Sequence, residues 1–139
     1  MSGLGFYNYA QGFDVVRGNA SAGGYDIAYL YDSAGNDHLV STPTSTTLSG
    51  SGFSNSASYF DSVNVSASAG GYDTADFYDS TGSDDFLGRG TLARMYYGTG
   101  PAVRAYYFDL VRIYSSHGGF DHKDVSSVGY AFESYGPWQ

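Results

Sequence analysis

The residues best suited to chemistry in this sequence are aspartates that recur in one short motif, Asp-Ser-x-Gly-x-Asp. The motif occurs at 32–37 and again at 79–84. Carboxylate and amide oxygens are hard ligands, and calcium takes about six to eight of them. If the motif binds calcium, the ligands are Asp32, Asn36, Asp37, Asp79, Asp84 and Asp85. The alternative is that Asp32 and Asp79 cap turns by accepting hydrogen bonds from backbone N–H groups.

No catalytic constellation is evident elsewhere. Paired carboxylates would suit glycoside hydrolysis, but every candidate pair recurs with the repeat described below, whereas an active site is usually a single constellation. His38, His117 and His122 share no repeat position. The sequence has neither a G-x-S-x-G elbow nor a G-x-x-x-x-G-K-S/T phosphate loop. We therefore predict a protein that is not an enzyme and has no cofactor, with calcium as the alternative.

The aspartate motif is one part of a tandem repeat of 47 residues. Equivalent stretches are 5–10 and 52–57, 20–26 and 67–73, and 31–37 and 78–84. A third copy at an offset of 48 contains 107–111 and 118–121 and then diverges. Terminal repeats often depart from the pattern because they cap the array. We predict a single repeat domain with repeats at about 5–51, 52–99 and 100–139, the last ending in a cap or interface segment.

An Asp-x-apolar pattern recurs about every 12 residues and marks short strands. Val63, Val65 and Ala67 alternate with polar residues, which is the period of a strand. The chain also has 15 Tyr, 9 Phe and 20 Gly, a composition that favours strands and tight turns. We predict an all-β fold with about four strands per repeat, eleven or twelve in all. Phe13, Phe60 and Phe108 fall at equivalent positions and should be buried alike.

Two architectures fit this strand spacing. In a β-solenoid, each repeat makes about two coils and the strands stack in parallel, which aligns the repeated turns. In an antiparallel β-sandwich or meander, Ala-Gly-Gly-Tyr-Asp is instead a hairpin turn, since Gly-Gly suits a type I′ turn. The solenoid is the preferred prediction.

The charge and residue composition exclude several classes of protein. The net charge of −8 argues against nucleic-acid binding, which needs a basic surface. No apolar run approaches the roughly 20 residues of a membrane span, and the first residues do not have a signal-peptide pattern. The sequence contains no Cys, which excludes a disulfide scaffold and thiolate metal sites.

Three sequence patterns carry a resemblance to known proteins. They are Gly-Gly-Tyr-Asp-x-Ala, Tyr-Asp-Ser-x-Gly-x-Asp and Gly-x-Gly-Phe-x-Asn-x-Ala. They resemble tandem repeats of very large secreted or surface proteins of environmental bacteria, and the resemblance covers nearly the whole chain. It implies an extracellular or cell-surface location and a structural or adhesive role.

A second resemblance is to the calcium-binding nonapeptide G-G-x-G-x-D-x-U-x of haemolysin-type β-rolls. Residues 35–39 and 82–86 match the second half of that pattern. This resemblance implies calcium binding in the Asp turns.

The function predicted from these observations is that of an extracellular structural or adhesive repeat protein. The closing aromatics Phe132, Tyr135 and Trp138 could anchor a head-to-tail contact between copies, which would build a filament. The alternative is a glycan- or calcium-binding module of a surface protein, in which exposed Tyr side chains stack on sugar rings.

The tyrosine doublets and the hydroxyl-rich loop allow further predictions. Adjacent strand residues point to opposite faces, so Tyr96–Tyr97 and Tyr106–Tyr107 should each place one ring in the core. Four residues are candidate glycosylation sites, namely Asn19 and Asn64 in N-x-S sequons and Thr42 and Thr44 in a Ser/Thr-rich loop.

Overall fold

A computed structural model describes residues 2–3 and 6–139, which form strands joined by turns. In chain order the strands are β1 (Ser2–Gly3), β2 (Phe6–Tyr7), β3 (Val15–Asn19), β4 (Ile27–Tyr31), β5 (His38–Ser41), β6 (Ser45–Gly50), β7 (Phe53–Ser58), β8 (Ser62–Ser66), β9 (Thr74–Tyr78), β10 (Asp85–Gly90), β11 (Leu92–Tyr96), β12 (Ala102–Tyr106), β13 (Leu110–Tyr114), β14 (His122–Val128) and β15 (Ala131–Tyr135). The long apolar helix that a membrane span requires does not occur in these described ranges.

The strands form two sheets that enclose one core. The eight-stranded sheet has the order β14-β10-β11-β12-β8-β4-β1-β2, and the seven-stranded sheet has the order β15-β13-β9-β5-β6-β7-β3. The chain passes from one sheet to the other at turns that carry the repeated aspartates. It thereby winds into a β-solenoid, which confirms the predicted fold.

Strand direction depends on whether two neighbours belong to the same coil. Strands from successive coils pair in parallel and in register, so that Ile27 lies beside Ser62 and Ser62 beside Ala102. Hairpins add an antiparallel meander to each of the first two repeats, β5–β6–β7 in one sheet and β10–β11–β12 in the other. Both kinds of pairing weighed from the sequence therefore occur. The Ala-Gly-Gly-Tyr-Asp segments connect the two sheets and are not hairpin turns.

Equivalent strands of successive repeats lie in opposite sheets. β3 is in the seven-stranded sheet, β8 is in the eight-stranded sheet, and β13 is again in the seven-stranded sheet. The chain changes sheet three times between β3 and β8, so one repeat makes one and a half turns instead of the two we predicted. Each of the first two repeats holds five strands, not four. Successive repeats are thus related by a half-turn and a translation along the solenoid axis.

The third repeat is shortened. It lacks the meander strands, and β15 pairs in parallel directly with β13, in the place that β7 takes beside β3 and β12 beside β8. The repeat therefore ends in a different strand arrangement, as its divergent sequence predicts.

Alternation along the strands supplies the core. Val63, Val65 and Ala67 are buried, as predicted. The largest fully buried side chains come from both sheets, and they include Leu39, Leu48, Phe77, Phe86 and Met95. The rings of Phe77 and Phe86 meet edge to face across the two sheets, with centroids 5.8 Å apart.

The three equivalent phenylalanines do not behave alike. Phe60 and Phe108 are each only 4% exposed, whereas Phe13 is 63% exposed. The prediction is confirmed for the second and third repeats and wrong for the first. Phe13 precedes β3, which is the edge strand of its sheet, and no further coil of the described part of the chain covers that side.

This difference provides a matched pair of variants. Phe60→Ala should lower the free energy of unfolding by about 3–5 kcal/mol, because it leaves a cavity in the core. Phe13→Ala removes the same atoms from an exposed position and should change it by less than about 0.5 kcal/mol. Urea denaturation followed by circular dichroism measures both values. Equal losses in the two variants would contradict the assignment of the core.

Candidate functional site

The two repeated turn motifs fit against each other. The Asp-Ser-x-Gly-x-Asp turn of one coil lies against the Gly-Gly-Tyr/Phe-Asp turn of the next coil. We call each such pair a turn lock. The first turn lock joins 32–37 to 69–73, and the second joins 79–84 to 116–121. They are equivalent in sequence and lie at opposite edges of the solenoid, because the repeats are related by a half-turn.

In the first turn lock, side chains of one coil accept hydrogen bonds from the backbone of the next. Asp32 Oδ2 accepts from the N–H of Ala69 at 2.8 Å, and Asn36 Oδ1 accepts from the N–H of Tyr72 at 2.8 Å. Within its own turn, the Asp37 carboxylate accepts from the N–H and hydroxyl of Ser33. These side chains satisfy backbone donors that a turn would otherwise leave unpaired.

Aspartates at the strand starts form a ladder between coils. The Asp37 N–H donates to Asp73 Oδ1 at 2.8 Å, and the Asp73 N–H donates to Asp109 Oδ2 at 2.8 Å. The same contact joins the N–H of Asp26 to Asp61 and the N–H of Asp84 to Asp121. The predicted Asp-x-apolar pattern therefore marks the strand starts, where each Asp connects its coil to a neighbouring one.

The second turn lock has a histidine that the first lacks. Asp79 Oδ2 accepts from the N–H groups of Ser116 and His117, both at 2.7 Å, and His117 Nδ1 lies 2.6 Å from Asp79 Oδ1. The hydroxyl of Ser83 accepts from the N–H of Phe120 at 3.1 Å.

The second glycine of each Gly-Gly pair is required by the turn lock. A Cβ on Gly71 would overlap the carbonyl oxygen of Gly35, and a Cβ on Gly119 would overlap that of Gly82. Gly71 also has φ of +115°, which side chains rarely adopt. The Gly-Gly pair thus allows two turns to stack backbone against backbone.

Three carboxylates crowd together in the first turn lock. One oxygen from each of Asp32, Asp37 and Asp73 lies within 4.8 Å of the others. Burial raises the pKa of Asp73 above its ordinary value of 3.8, and the charges of Asp37, Asp32 and Asp109 raise it further, against a lowering by the Asp37 N–H bond. The ionised form of Asp73 is therefore disfavoured in the folded chain.

Asp79 shows the opposite balance in the second turn lock. Its burial acts to raise the pKa, but the hydrogen bonds from His117 and Ser116 outweigh burial and hold the pKa of Asp79 below its ordinary value. Asp79 corresponds to Asp32 of the first turn lock, where Ala69 stands in place of His117, so the contact with the His117 ring has no counterpart there.

Calcium binding in these turns stays a prediction. The spacing of Asp32, Asp37 and Asp73 fits a cation with Ca–O distances of about 2.3–2.6 Å. Much of the oxygen surface already accepts N–H bonds, so carbonyl groups or water would have to complete the shell. Asp84 accepts from Ser80 and from the N–H of Gly98, while the last predicted ligand, Asp85, is exposed and contacts His122 at 2.9 Å.

The predicted interface aromatics lie mostly within their own subunit. Phe132 stacks on Phe86 at 5.5 Å, and Trp138 is 8% exposed and belongs to the core. Tyr135 is exposed and stacks on Tyr114 at 5.0 Å. Gln139 exchanges backbone hydrogen bonds with Asp121 and Lys123, which holds the tail against the start of β14.

The predicted glycosylation residues differ in accessibility. Asn19, at the end of β3, and Thr44 are exposed. Asn64 is half-buried in the middle of β8, between two neighbouring strands. Thr42 is also half-buried, and its hydroxyl donates to the carbonyl of Ser45.

The tyrosine doublets follow the prediction in one case. Tyr97 is buried, with its hydroxyl 2.8 Å from the Ser41 hydroxyl, while Tyr96 faces outward. For the second doublet the prediction is wrong. Tyr106 is half-buried on the outer face and Tyr107 is exposed, because Phe108 takes the core position beside them.

The sequence reasoning missed two features of the surface. Tyr59 and Tyr107 have φ of +62° and +67°, a backbone conformation that Gly12 adopts at the equivalent position of the first repeat. Arg94 and Arg104 lie directly opposite each other on β11 and β12. The Gly-to-Tyr replacement was visible in the repeat comparison, whereas the arginine pair depends on the hairpin register.

No protein-family model matches the sequence, and comparison with curated proteins and with solved structures gives no significant match.

The turn lock can be tested with adjacent glycines. Gly70→Ala and Gly71→Ala both place a side chain at positive φ, but only the second also forces Cβ into the Gly35 carbonyl. We expect Gly71→Ala to lower the melting temperature clearly more than Gly70→Ala, which should cost about 1–2 kcal/mol. Thermal unfolding by circular dichroism measures the difference. Equal melting temperatures would show that the two turns do not stack closely.

The two aspartates predict opposite responses to pH. Asp73→Asn keeps an oxygen acceptor and removes a disfavoured charge, so it should raise the melting temperature at pH 7. This gain should shrink as pH falls through the raised pKa of folded Asp73, where the wild-type carboxylate takes up its proton. Asp79→Asn should lower stability at pH 7 by about 1.5–3 kcal/mol through weakened charged hydrogen bonds.

For Asp79 the wild-type advantage is present above the unfolded pKa of about 3.9 and is lost as pH falls through the depressed folded pKa. Melting curves of the three proteins between pH 3 and pH 7 test both signs. A destabilised Asp73→Asn at pH 7 would contradict the interpretation of the carboxylate cluster.

Proposed function

We propose that this chain is a non-enzymatic structural module of an extracellular or cell-surface protein, a stiff repeat rod with an adhesive or spacing role. The single observation that carries the proposal is the turn lock, in which the repeated Asp, Gly and Asn/Ser residues of the turns make contacts between coils. Repeated residues that hold coils together serve length and rigidity, because a solenoid grows by adding the same unit along its axis.

The distribution of charge also favours this role. Acidic side chains are concentrated in the turns, where Asp37, Asp73, Asp84 and Asp121 are buried and hydrogen-bonded. Their position is explained by backbone satisfaction, so it requires no substrate. The net charge of −8 keeps a Tyr-rich surface soluble.

The extracellular location is proposed from the resemblance to repeats of secreted and surface proteins and from the Asp- and Tyr-rich composition. Labelling of intact cells with an antibody against the chain checks it. Assembly of copies into a filament stays a prediction. Tyr135 is the member of the proposed contact that is available, whereas Phe132 and Trp138 pack inside.

The rod proposal is tested by lengthening the chain. A second copy of residues 52–98, inserted after Gly98, adds five strands, or two and a half per sheet. At about 4.7–4.9 Å per strand, the rod should lengthen by about 12 Å. Small-angle X-ray scattering measures the maximum dimension, and sedimentation shows whether the longer protein is a monomer.

A control insertion carries the same 47 residues in scrambled order. The scrambled insertion should form a disordered loop and lower the melting temperature. The true copy should leave the melting temperature unchanged. A true copy that fails to extend the particle, or that melts like the scrambled one, would contradict the modular rod.

A further inference from the structure

An open groove lies at the edge of the solenoid where the hairpin loop of β11 and β12 meets the turn before β8. Its volume is about 450 Å³, within the range of small-ligand sites. Aromatic and proline side chains line it together with two charged ones. The lining includes Tyr25, Pro43, Tyr59, Asp61, Tyr96 and Arg104.

Tyr59 is held in this groove at an energetic cost. Its φ of +62° places a large side chain in the left-handed region, which costs about 1–2 kcal/mol relative to a right-handed backbone. Gly12 stands at this position in the first repeat and avoids the cost. The ring of Tyr59 is 59% exposed, so burial does not offset the strain.

The walls of the groove are fixed to each other. The N–H of Asp26 donates to Asp61 Oδ2 at 2.7 Å, which ties the turn carrying Tyr25 to the floor. The N–H of Tyr59 donates to the carbonyl of Thr44 at 2.9 Å. Tyr25 is 68% exposed. The two exposed rings therefore stand on anchored backbone, which lowers the entropic cost of binding.

Arg104 lies beside Arg94 without a carboxylate. The two residues are direct partners in the β11–β12 pairing, and like charges at such positions repel. Arg104 donates to the Ser62 hydroxyl at 2.9 Å, and Arg94 lies 4.5 Å over the Tyr96 ring with a buried Nε that has no hydrogen-bond partner. Among the described residues, no carboxylate approaches either guanidinium within 4.0 Å, although acids outnumber bases by 14 to 6.

We propose that this groove binds an acidic oligosaccharide through its uronic-acid residues. A pyranose ring has an apolar C–H face, which the exposed faces of Tyr25 and Tyr59 cover and remove from water. Its carboxylate pairs with the Arg104 guanidinium, which favours planar carboxylates, and relieves the repulsion from Arg94. The free oxygen of Asp61 accepts from a sugar hydroxyl.

The chemistry of the groove favours this ligand over a nucleic acid or a polyphosphate. Asp61 on the floor and the chain's net charge of −8 repel a nucleic acid or polyphosphate. A uronic-acid oligosaccharide carries only one charge per ring and offers hydroxyl donors beside each carboxylate. The site goes beyond the rod proposal and is independent of it, because binding can fail while the length of the particle is unchanged.

Calorimetric titration with a tetrasaccharide of galacturonic acid tests the site, with the carboxyl-reduced tetrasaccharide and sodium sulfate as comparison ligands. We expect the acidic tetrasaccharide to bind. The affinity for the reduced tetrasaccharide should be lower by about tenfold or more. Sulfate should compete only weakly. Arg104→Gln should abolish the preference for the acidic form.

Tyr59→Gly separates binding from folding. Glycine relieves the positive φ, so the melting temperature should hold or rise, while affinity should fall about tenfold or more. Tyr107→Gly makes the same change at the equivalent position outside the groove and should leave affinity unchanged. The proposal is overturned by wild type that binds neither tetrasaccharide, by equal binding of both, or by unchanged affinity of Tyr59→Gly.

Discussion

The whole solenoid depends on one interaction, the acceptance of a backbone N–H of one coil by a side-chain oxygen of its neighbour. Turns between sheets leave donors unpaired, and each unpaired buried donor costs about 1–3 kcal/mol. Asp73 satisfies the N–H of Asp37, while its own N–H is satisfied by Asp109. A short side chain with two acceptor oxygens is suited to this task, which is performed by Asp32, Asp61, Asp73, Asp79, Asp109 and Asp121.

The same interaction also causes repulsion between carboxylates. Stacking coils every few ångströms brings carboxylates together, and the pKa of Asp73 is raised by burial and by neighbouring carboxylates. In the second turn lock, hydrogen bonds from His117 and Ser116 hold the pKa of Asp79 below its ordinary value despite its burial. The repeat thus tolerates substitution around a fixed set of hydrogen bonds, and a single histidine changes the electrostatics of a turn without changing its backbone path.

The periodicity of the sequence was sufficient to predict the features of the fold that depend on local residue spacing. The strand starts, the inward Val63 and Val65, and the solenoid itself follow from the spacing of Asp, Gly and apolar residues. The meanders were not predicted, because inward–outward alternation is the same in parallel and antiparallel strands. The half-turn between repeats was missed for the same reason. The meander keeps three consecutive strands in one sheet, so each of the first two repeats makes three crossings between sheets, and this odd number places the next repeat in the opposite sheet.

The groove beside Tyr59 could not be predicted from the sequence. Tyr25, Tyr59 and Arg104 lie far apart in the chain and meet because β8 pairs with β4 on one side and with β12 on the other. A tyrosine in the sequence does not indicate a positive φ. The glycine at the equivalent position, Gly12, is the sequence signal that points to it. The turn contacts that fix the backbone around Tyr59 are the same kind that hold every coil. A rigid repeat can therefore support a strained side chain at one turn, since neighbouring coils determine the backbone that the residue itself disfavours.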